Sequence, residues 1–445
     1  SDESLFTFTI NIANTTTLNN LTTFFVDASR PDNLGDGASF ATAFRDLQFV
    51  LDNACPGSEI RVAQGIYTPT ASPDGLSTEP RDRAFYLSKE LVIKGGYDVG
   101  TGLQDVTIPS ILSGDFNGDD GITGSGSTLA FTDNGENAYH VFMTKDLSNA
   151  TVLNGFDIVA GNASGVGSIE FEGQNFSGNL GAGMYNKSSS PTLTNVRFSN
   201  NSSIADGAGM YNTTSSSPIL THAIFSSNIA DQGAGMFNST SSSPILTTVR
   251  FLSNLAVSGA GMYNETSSSP ILSAVFFSNN SAQTAGGILN TGSSPTLTNV
   301  VFSENSATDG SGIYNVGIST PSLTNVTFLQ NSATTSGSVV HSLGASAIVT
   351  LYNTLFYGNT VGGSLSDISG TSIDVNSSNN ASDITAGSIS GSTDFVPLTT
   401  DPFVNINDPV GVDGVFGTID DGLYVTALSG LGGAGATTGS LYDIL

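Results

Sequence analysis

The segment GAGMYN at 181–186 decides the fold, because it recurs at a constant interval. It returns as GAGMYN at 207–212, GAGMFN at 233–238 and GAGMYN at 259–264, in steps of 26 residues, and continues as GGILN at 286–290 and GSGIYN at 310–315. A second block, first seen as SSSPTLTNVRFSNN, runs in step with it and places its proline at 191, 218, 244, 270, 295 and 321. Six linked copies at nearly constant spacing indicate a repeat architecture.

Each repeat contains short β-type runs such as Pro-x-Leu-Thr-x-Val-x-Phe, separated by Gly, Ser and Asn. Helical repeats need longer periods and helical spacing, and the leucine-rich frame of leucine-rich repeats is absent. One repeat therefore predicts one coil of an all-β solenoid. Successive coils would stack as parallel strands about 4.8 Å apart.

In a solenoid, residues one repeat apart lie on top of each other, so the sequence predicts columns. We expect a Phe column and a Met/Ile column, the latter running from Met184 to Ile313, to form interior stacks. The adjacent Tyr column, from Tyr185 to Tyr314, should lie on the opposite strand face. The phenylalanines predicted to stack are Phe198, Phe225, Phe251, Phe277, Phe302 and Phe328.

Two asparagine columns predict ladders that satisfy the polar groups of the turns. An Asn amide can donate to one neighbouring coil and accept from the other, and Asn tolerates left-handed backbone geometry. The first column is Asn186, Asn212, Asn238, Asn264, Asn290 and Asn315. The second column is Asn201, Asn228, Asn254, Asn280, Asn305 and Asn331.

The flanks of the repeats divide the chain further. We expect an N-terminal strand or extension at 1–24, a cap with a helix at 25–57 and irregular coils with an Asp- and Gly-rich insertion (113–137) at 58–177. Regular coils follow at 178–359, then degenerate coils and a C-terminal cap or tail at 360–445. Helical spacing of apolar residues predicts a helix over 39–54, capped by Ser39 and ended by Pro56-Gly57.

The segment 5–12 alternates as a half-buried strand, with Phe6, Phe8, Ile10 and Ile12 on one face. It either folds back on its own first coils or adds to a sheet edge of the next subunit. The second arrangement is a head-to-tail contact that does not close, so it predicts a filament or a surface layer.

The composition excludes several function classes. Lys and Arg number 11 against 38 Asp and Glu, which gives a formal net charge of −27 over 445 residues. Nucleic-acid binding needs clustered cations and is therefore not expected. No apolar run of about 18 residues occurs, so we expect no transmembrane segment. The chain begins at Ser1, and we expect an extracellular or cell-surface protein whose signal peptide has been removed.

These features together resemble the secreted bacterial right-handed parallel β-helix proteins with pectate-lyase-like topology and polymorphic outer-membrane-type repeats. The resemblance implies a right-handed β-helix with an N-terminal helical cap, and it does not specify an activity. It rests on the coil motifs G-x-G-[MI]-[YF]-N and S-P-x-L-x-x-x-x-F-x-x-N and on four groups of flanking segments. The first group is 25–28 with 35–37, and the second is 57–67. The third comprises the short motifs Gly95-Gly96-Tyr97, Leu112-Ser113-Gly114-Asp115 and Tyr139-His140-Val141, and the fourth is 413–423.

Two acidic, Gly-rich loops are candidate Ca²⁺ sites. Asp115, Asn117, Asp119 and Asp120 place oxygen ligands at nearly alternate positions before a glycine, partly like an EF-hand loop that lacks its twelfth-position Glu. Asp413, Asp420 and Asp421 form the second loop. The alternative in each case is an acidic surface turn that binds nothing.

No catalytic constellation is evident, and we predict no catalytic residues. Asp119-Asp120 follows a glycine as in one glycoside hydrolase motif, but the accompanying basic motifs are absent, and the three histidines are isolated. We therefore expect a non-enzymatic structural or adhesive extracellular protein, whose partners are further copies of itself or cell-surface glycans. The alternative is a polysaccharide-binding or polysaccharide-cleaving β-helix, for which the Tyr column would be a platform if exposed.

Overall fold

Three long sheets form the molecule, and their strands pair in parallel from one coil to the next. The exception is Ser364–Leu365, which pairs antiparallel with Thr360–Val361. The structure, a computed structural model, describes residues 21–337, 339–344, 346–370, 380–383 and 395–398. Each regular coil contributes a strand to each sheet, because three runs of β-type residues are separated by three turns. The predicted all-β parallel β-helix is confirmed, and it is the fold that the sequence resemblance implies.

In the described residues, the largest sheet, here the long sheet, has 18 strands: Thr23–Val26, Glu59–Ala63, Gly65–Tyr67, Val92–Tyr97, Ser110–Ser113, Val152–Val159, Thr192–Ser199, Ile219–Thr221, Ile224–Ser226, Ile245–Thr247, Arg250–Leu252, Ile271–Ser278, Thr296–Ser303, Ser322–Leu329, Thr350–Tyr352, Leu355–Tyr357, Asn380–Ser382 and Phe395–Pro397. The second sheet has ten: Phe85–Leu87, Phe142–Lys145, Met184–Lys187, Met210–Thr213, Met236–Asn238, Met262–Glu265, Ile288–Thr291, Ile313–Val316, Val340–Leu343 and Ile368–Gly370. The third sheet has nine: Asn162–Ala163, Ser202–Ser203, Ile229–Gln232, Leu255–Ser258, Ser281–Thr284, Ser306–Asp309, Ser332–Ser336, Thr360–Val361 and Ser364–Leu365.

The remaining elements lie outside the three sheets. Two antiparallel hairpins project from the coils, one formed by Gly121–Thr123 with Ala130–Thr132 and one by Ser168–Phe171 with Gln174–Ser177. The described helices are short. They are the α-helix Leu47–Asn53 and the 3-10 turns Phe40–Thr42, Pro80–Asp82 and Gly126–Thr128. None of the helices in these residues is long and apolar enough to cross a membrane.

The interior is built from identical side chains in register. Phe198, Phe225, Phe251, Phe277, Phe302, Phe328 and Phe356 pair one coil apart in the long sheet. Their ring centroids are 4.7 to 5.0 Å apart, with interplanar angles of 4 to 10°. Near-parallel rings at this spacing must be offset, which is a favourable arrangement of aromatic quadrupoles. The Met/Ile column faces the same core and is fully buried.

Both asparagine columns form continuous hydrogen-bond ladders inside the solenoid. In the first, each Nδ2 donates to the Oδ1 of the next coil at 2.8 to 2.9 Å, from Asn186 to Asn315. In the second, from Asn201 to Asn359, each Oδ1 accepts from both the Nδ2 and the backbone N–H of the preceding ladder residue. All these side chains are fully buried, and their polar atoms are paired with one another.

The left-handed backbone conformation falls on the residue before each ladder asparagine of the second column, not on the asparagine itself. Asn200, Ser227, Ser253, Asn279, Glu304 and Gln330 have φ between 51 and 58°. The tolerance of Asn for left-handed geometry therefore does not account for its place in this ladder. The preceding residue makes the sharp bend, and this leaves the asparagine pointing into the core.

The Ser-Ser-Ser-Pro segments form two further ladders that the sequence did not suggest. In one, the backbone N–H of each serine donates to the hydroxyl of the next coil, from Ser189 to Ser319. In the other, the backbone N–H donates to the hydroxyl of the preceding coil, from Ser217 to Thr320. These bonds satisfy backbone donors in the turn between the second and long sheets.

The Tyr column lies on the opposite strand face, as expected, but much of it is covered. Tyr185, Tyr211 and Phe237 are 4, 8 and 2% exposed and form a separate apolar cluster. Phe176 of the hairpin at 168–177 packs edge-on against Tyr185, with ring centroids 4.8 Å apart. These residues therefore cannot serve as the open aromatic platform that the polysaccharide alternative invoked.

The predicted helix over 39–54 is wrong in its extent. Phe44 forms a β-bridge with Val26 and exchanges backbone hydrogen bonds with the first strand, so residues 43–45 cannot be helical. The α-helix starts after this bridge, at Leu47. Its N-cap is Asp46, whose carboxylate accepts from the backbone N–H groups of the next turn, while Ser39 makes no capping hydrogen bond.

The first strand, Thr23–Val26, pairs with Glu59–Ala63 and so crosses the predicted border between 24 and 25. The predicted strand at 5–12, with Phe6, Phe8, Ile10 and Ile12, lies outside the described residues, as do Asp413, Asp420 and Asp421. Head-to-tail pairing through 5–12 stays a prediction.

Candidate functional site

The insertion at 113–137, here the arm, departs from the coils after the strand Ser110–Ser113. Its hairpin extends along the solenoid, because the 3-10 turn Gly126–Thr128 at its tip contacts Ser281–Thr284 in the third sheet. Between base and tip, Asn134 Nδ2 donates to Ser202 Oγ at 3.4 Å. The arm therefore crosses several coils and walls off part of the solenoid surface.

A cleft of about 470 Å³ lies between the arm and the long sheet. This volume is within the range of ligand sites, about 300–1,000 Å³. Its floor comes from adjacent strands, where Ile111, Asp157 and Arg197 lie side by side in register. The arm contributes Asp115, Asp120, Ile122, Phe131 and Asn134. The cleft thus combines one cation with carboxylates, an amide and apolar side chains.

Arg197 is the basic residue of this cleft, and it forms an ion pair with Asp157 one coil below. The Asp157 side chain is 8% exposed, whereas the Arg197 side chain is 50% exposed. A guanidinium carries five N–H donors in a planar fork. Arg197 can therefore hold Asp157 and still present donors to a ligand.

Four carboxylates gather where the two ends of the arm meet, and we call them the carboxylate cluster. Asp115, Asp119 and Asp120 come from the start of the arm and Glu136 from its end, and one oxygen of each lies within 4.8 Å of the others. Asp115 is held by its own turn, because its Oδ1 accepts from the backbone N–H groups of Asn117 and Gly118 at 3.0 and 2.6 Å.

The base of the arm is fixed by Arg81 and Asn137. The Arg81 guanidinium donates to the carbonyl oxygens of Asn137 and Asn162 at 2.7 and 2.8 Å and lies over the ring of Tyr139. Asn137 Nδ2 donates in turn to Asp120 Oδ2 at 2.8 Å. These contacts hold the carboxylate cluster against the coils.

Burial and the repulsion between like charges both raise pKa values in the carboxylate cluster. Burial, together with the nearby charges of Asp115, Glu136 and Asp119, raises the pKa of Asp120 to about 6, while the Asn137 amide opposes the change. Burial also raises the pKa of Glu136. Both shifts arise because the ionised forms are poorly solvated and lie near like charges.

The structure brings three of the four predicted ligands of this loop together. Asn117 is exposed, and its backbone N–H donates to Asp115 Oδ1. Glu136 is a fourth carboxylate that the sequence did not suggest, because it lies 16 positions after Asp120, beyond the reach of a loop motif. The position of Glu136 at the end of the same insertion was the available signal, since the two ends of an insertion meet at its base.

The histidines lie apart from the cleft. His140 is buried against Tyr185, its Nδ1 lies 3.1 Å from the Gly181 carbonyl oxygen, and burial lowers its pKa to about 4. His341 Nδ1 lies 2.7 Å from Ser369 Oγ, and His222 occupies a left-handed turn position.

No protein-family model matches the sequence, and a search of curated proteins finds no match. Among solved structures, the chain is similar to pectate lyase Pel9A, with 12% identity, a TM-score of 0.40 and coverage of 92% of this chain and 90% of that one. DFA-IIIase from Arthrobacter chlorophenolicus A6 without its lid has 12% identity, a TM-score of 0.36 and coverage of 85% and 99%. A rhamnogalacturonan lyase has 9% identity, a TM-score of 0.37 and coverage of 91% and 96%. At these values the similarities carry no functional argument.

Proposed function

We propose that this protein is an adhesive β-solenoid that binds an anionic glycan in the cleft between the arm and the long sheet. The observation that carries the proposal is the cleft itself, which places an exposed guanidinium beside polar and apolar side chains. Most of the residues that line this cleft are polar, which suits a hydroxyl-rich ligand such as a sugar.

Arg197 is the contact for an anionic group among lining residues that also include the carboxylates of Asp115, Asp120 and Asp157. A chain with a net charge of −27 repels anions in general, so an anionic polymer needs a local cation to bind. The guanidinium matches the two oxygens of a carboxylate, and half of its side-chain surface is free for that contact. A sugar carboxylate, as in a polyuronate, is the group that fits Arg197.

Arg197 suits binding better than proton removal, because a guanidinium stays protonated in proteins. Cleavage would need a carboxylate of the cleft, such as Asp120, as its base. Arg197, the basic residue among those lining the cleft, is also paired with Asp157. The proposed role is therefore attachment, with the solenoid as a rigid support. Export to the cell surface and self-assembly stay predictions.

Isothermal titration calorimetry with polygalacturonate, and with dextran as a neutral polymer, tests this proposal. Arg197→Gln should abolish most of the polyuronate binding. The matched control is Arg250→Gln, because Arg250 lies in the same column two coils further on and does not line the cleft. Equal binding by wild type and Arg197→Gln, with far-UV circular dichroism unchanged, would overturn the proposal. Release of unsaturated or reducing ends would establish cleavage instead.

A further inference from the structure

The carboxylate cluster has the geometry of a site for one cation. Ca²⁺ is bound by oxygen ligands at about 2.3–2.6 Å, so ligands on opposite sides of the ion are about 5 Å apart. The four carboxylate oxygens lie within 4.8 Å of one another, which fits a shell around a single ion. Mg²⁺ needs a smaller, octahedral shell and keeps several of its waters. A donor set made of several protein carboxylates therefore suits Ca²⁺ better than Mg²⁺.

Buried oxygens without partners point to a missing ligand. Asn137 is 1% exposed, and its amide reaches the cluster, because Nδ2 donates to Asp120 Oδ2 at 2.8 Å. Its Oδ1 is buried and has no hydrogen-bond partner, and the same holds for Asp120 Oδ1 and Glu136 Oε1. Buried polar atoms are normally paired, so three such oxygens in one place need an explanation. All three are acceptors, and a cation would satisfy them together.

The charge of the cluster requires compensation as well. None of the ion pairs in the described part of the chain involves Asp115, Asp119, Asp120 or Glu136. The guanidinium of Arg81 contacts the backbone at the arm base, and that of Arg83 lies over the ring of Phe116. Like charges this close repel each other strongly when they are partly buried.

We propose that Asp115, Asp119, Asp120 and Glu136, together with Asn137 Oδ1, bind a Ca²⁺ ion that clasps the two ends of the arm. The ligands come from both ends, so the ion would close the loop that the hairpin forms and hold the arm along the solenoid. This differs from the EF-hand-like arrangement expected from sequence, because Glu136 and Asn137 replace Asn117. Asp115 and Asp120 also line the cleft, so the clasp is tested by Ca²⁺ binding itself and not by glycan binding.

Calorimetric titration of the chelator-treated protein with CaCl₂ and MgCl₂ tests the clasp. We expect one Ca²⁺ per chain, with a dissociation constant of about 10⁻⁴ M or below, and weaker binding of Mg²⁺. Glu136→Gln should weaken Ca²⁺ binding by about tenfold or more, because it removes a charged ligand. The matched control is Asp133→Asn, an exposed carboxylate on the same arm outside the cluster.

Hydrogen exchange supplies a readout that does not depend on affinity alone. Ca²⁺ should slow amide exchange in the hairpin strands Gly121–Thr123 and Ala130–Thr132 of the wild type and of Asp133→Asn, but not of Glu136→Gln. The strands of the regular coils should be unaffected, which also shows that the variants are folded. Absence of binding at millimolar Ca²⁺, or unchanged affinity in Glu136→Gln, would overturn the proposal. Loss of glycan binding with Ca²⁺ binding intact would affect the function proposal alone.

Discussion

A single asparagine in the middle of a ladder keeps several buried polar atoms paired. Asn254 accepts from the Nδ2 and the backbone N–H of Asn228 at 2.9 and 3.1 Å. It donates to Asn280 Oδ1 and to the Phe225 carbonyl oxygen at 2.9 and 3.0 Å. Its side chain therefore serves two neighbouring coils at once, where no solvent can replace it.

Asn254→Ala should be strongly destabilising. Each buried donor or acceptor that loses its partner costs about 1–3 kcal/mol, and this substitution leaves several. We expect the free energy of unfolding to fall by about 3 kcal/mol or more, as measured by urea denaturation followed by circular dichroism. Asn149→Ala, at an exposed turn position, is the control and should change it by less than about 0.5 kcal/mol. A similar effect of both substitutions would reject the ladder's role.

The last residue of this ladder predicts a pH dependence. Asn359 Nδ2 donates to Asp367 Oδ1 at 3.1 Å, Ser382 Oγ donates to the other oxygen, and burial raises the pKa of Asp367 to about 7. The nearby charge of Asp383 contributes to this rise in the pKa of Asp367. In the unfolded chain an Asp has a pKa of about 3.9, so the folded state binds the proton more tightly. The stabilisation is fully present below that value and is lost as the pH rises through about 7.

We therefore expect the coil around Asp367 to be more stable at pH 5 than at pH 8, by about 3 kcal/mol. Amide exchange of the strand Leu355–Tyr357, corrected for the intrinsic pH effect, measures this locally. Asp367→Asn keeps one acceptor for Asn359 and should remove the dependence. If Asp367→Asn shows the wild-type pH profile, the assignment to Asp367 is wrong.

At the scale of elements, the hairpin at 168–177 is a removable cover. The backbones of Gly165 and Gly178 are in contact where the hairpin leaves and rejoins the coil, and Gly165 N–H donates to the Gly178 carbonyl oxygen at 2.9 Å. Deletion of residues 166–177 would join these two glycines without moving the coils. The cost is the loss of the apolar contacts over Tyr185 and Tyr211.

This deletion should leave a folded solenoid with an exposed aromatic column. Burial raises the pKa of the Tyr185 phenol, and exposure should return it towards about 10. Ultraviolet titration of the phenols measures the change, and Tyr185→Phe in the shortened chain identifies the group. Binding of the dye ANS should increase. A shortened chain that binds no more ANS than the full chain would contradict the role of the hairpin as a cover.

The elements also show what the sequence could and could not predict. The Phe and Asn columns were predictable because a 26-residue period places equivalent residues in register wherever a coil is regular. The break at Phe44 was not predictable, since it depends on pairing with Val26, 18 positions earlier. The serine segments have the composition of ordinary loops. Their hydrogen bonds join neighbouring coils, so they become visible when the coils are stacked. Glu136 lies in the carboxylate cluster because folding brings the two ends of the arm together.

At the scale of the whole molecule, assembly is the prediction to test. Electron microscopy of the chain should show filaments if residues 5–12 add to a neighbouring subunit, and deletion of residues 1–20 should leave separate rods. The deletion ends at 20 because the strand Thr23–Val26 belongs to the long sheet of its own chain. Separate rods for both chains, or filaments for both, would remove the strand-addition hypothesis.

The hydrogen bonds between the side-chain amides of the asparagine ladders all run in the same direction along the solenoid. In both columns every hydrogen bond from one side-chain amide to the next runs towards the C-terminal coils, head to tail as peptide hydrogen bonds do in an α-helix. Each second-column amide also donates back to a carbonyl oxygen of the preceding coil. The donor end of one ladder meets the buried carboxyl group of Asp367. The ladders therefore end in amide donors on the C-terminal side and in amide acceptors on the N-terminal side. Duplication of whole coils would lengthen the solenoid. The ladder hydrogen bonds would keep their direction, and the last ladder asparagine would still donate to Asp367.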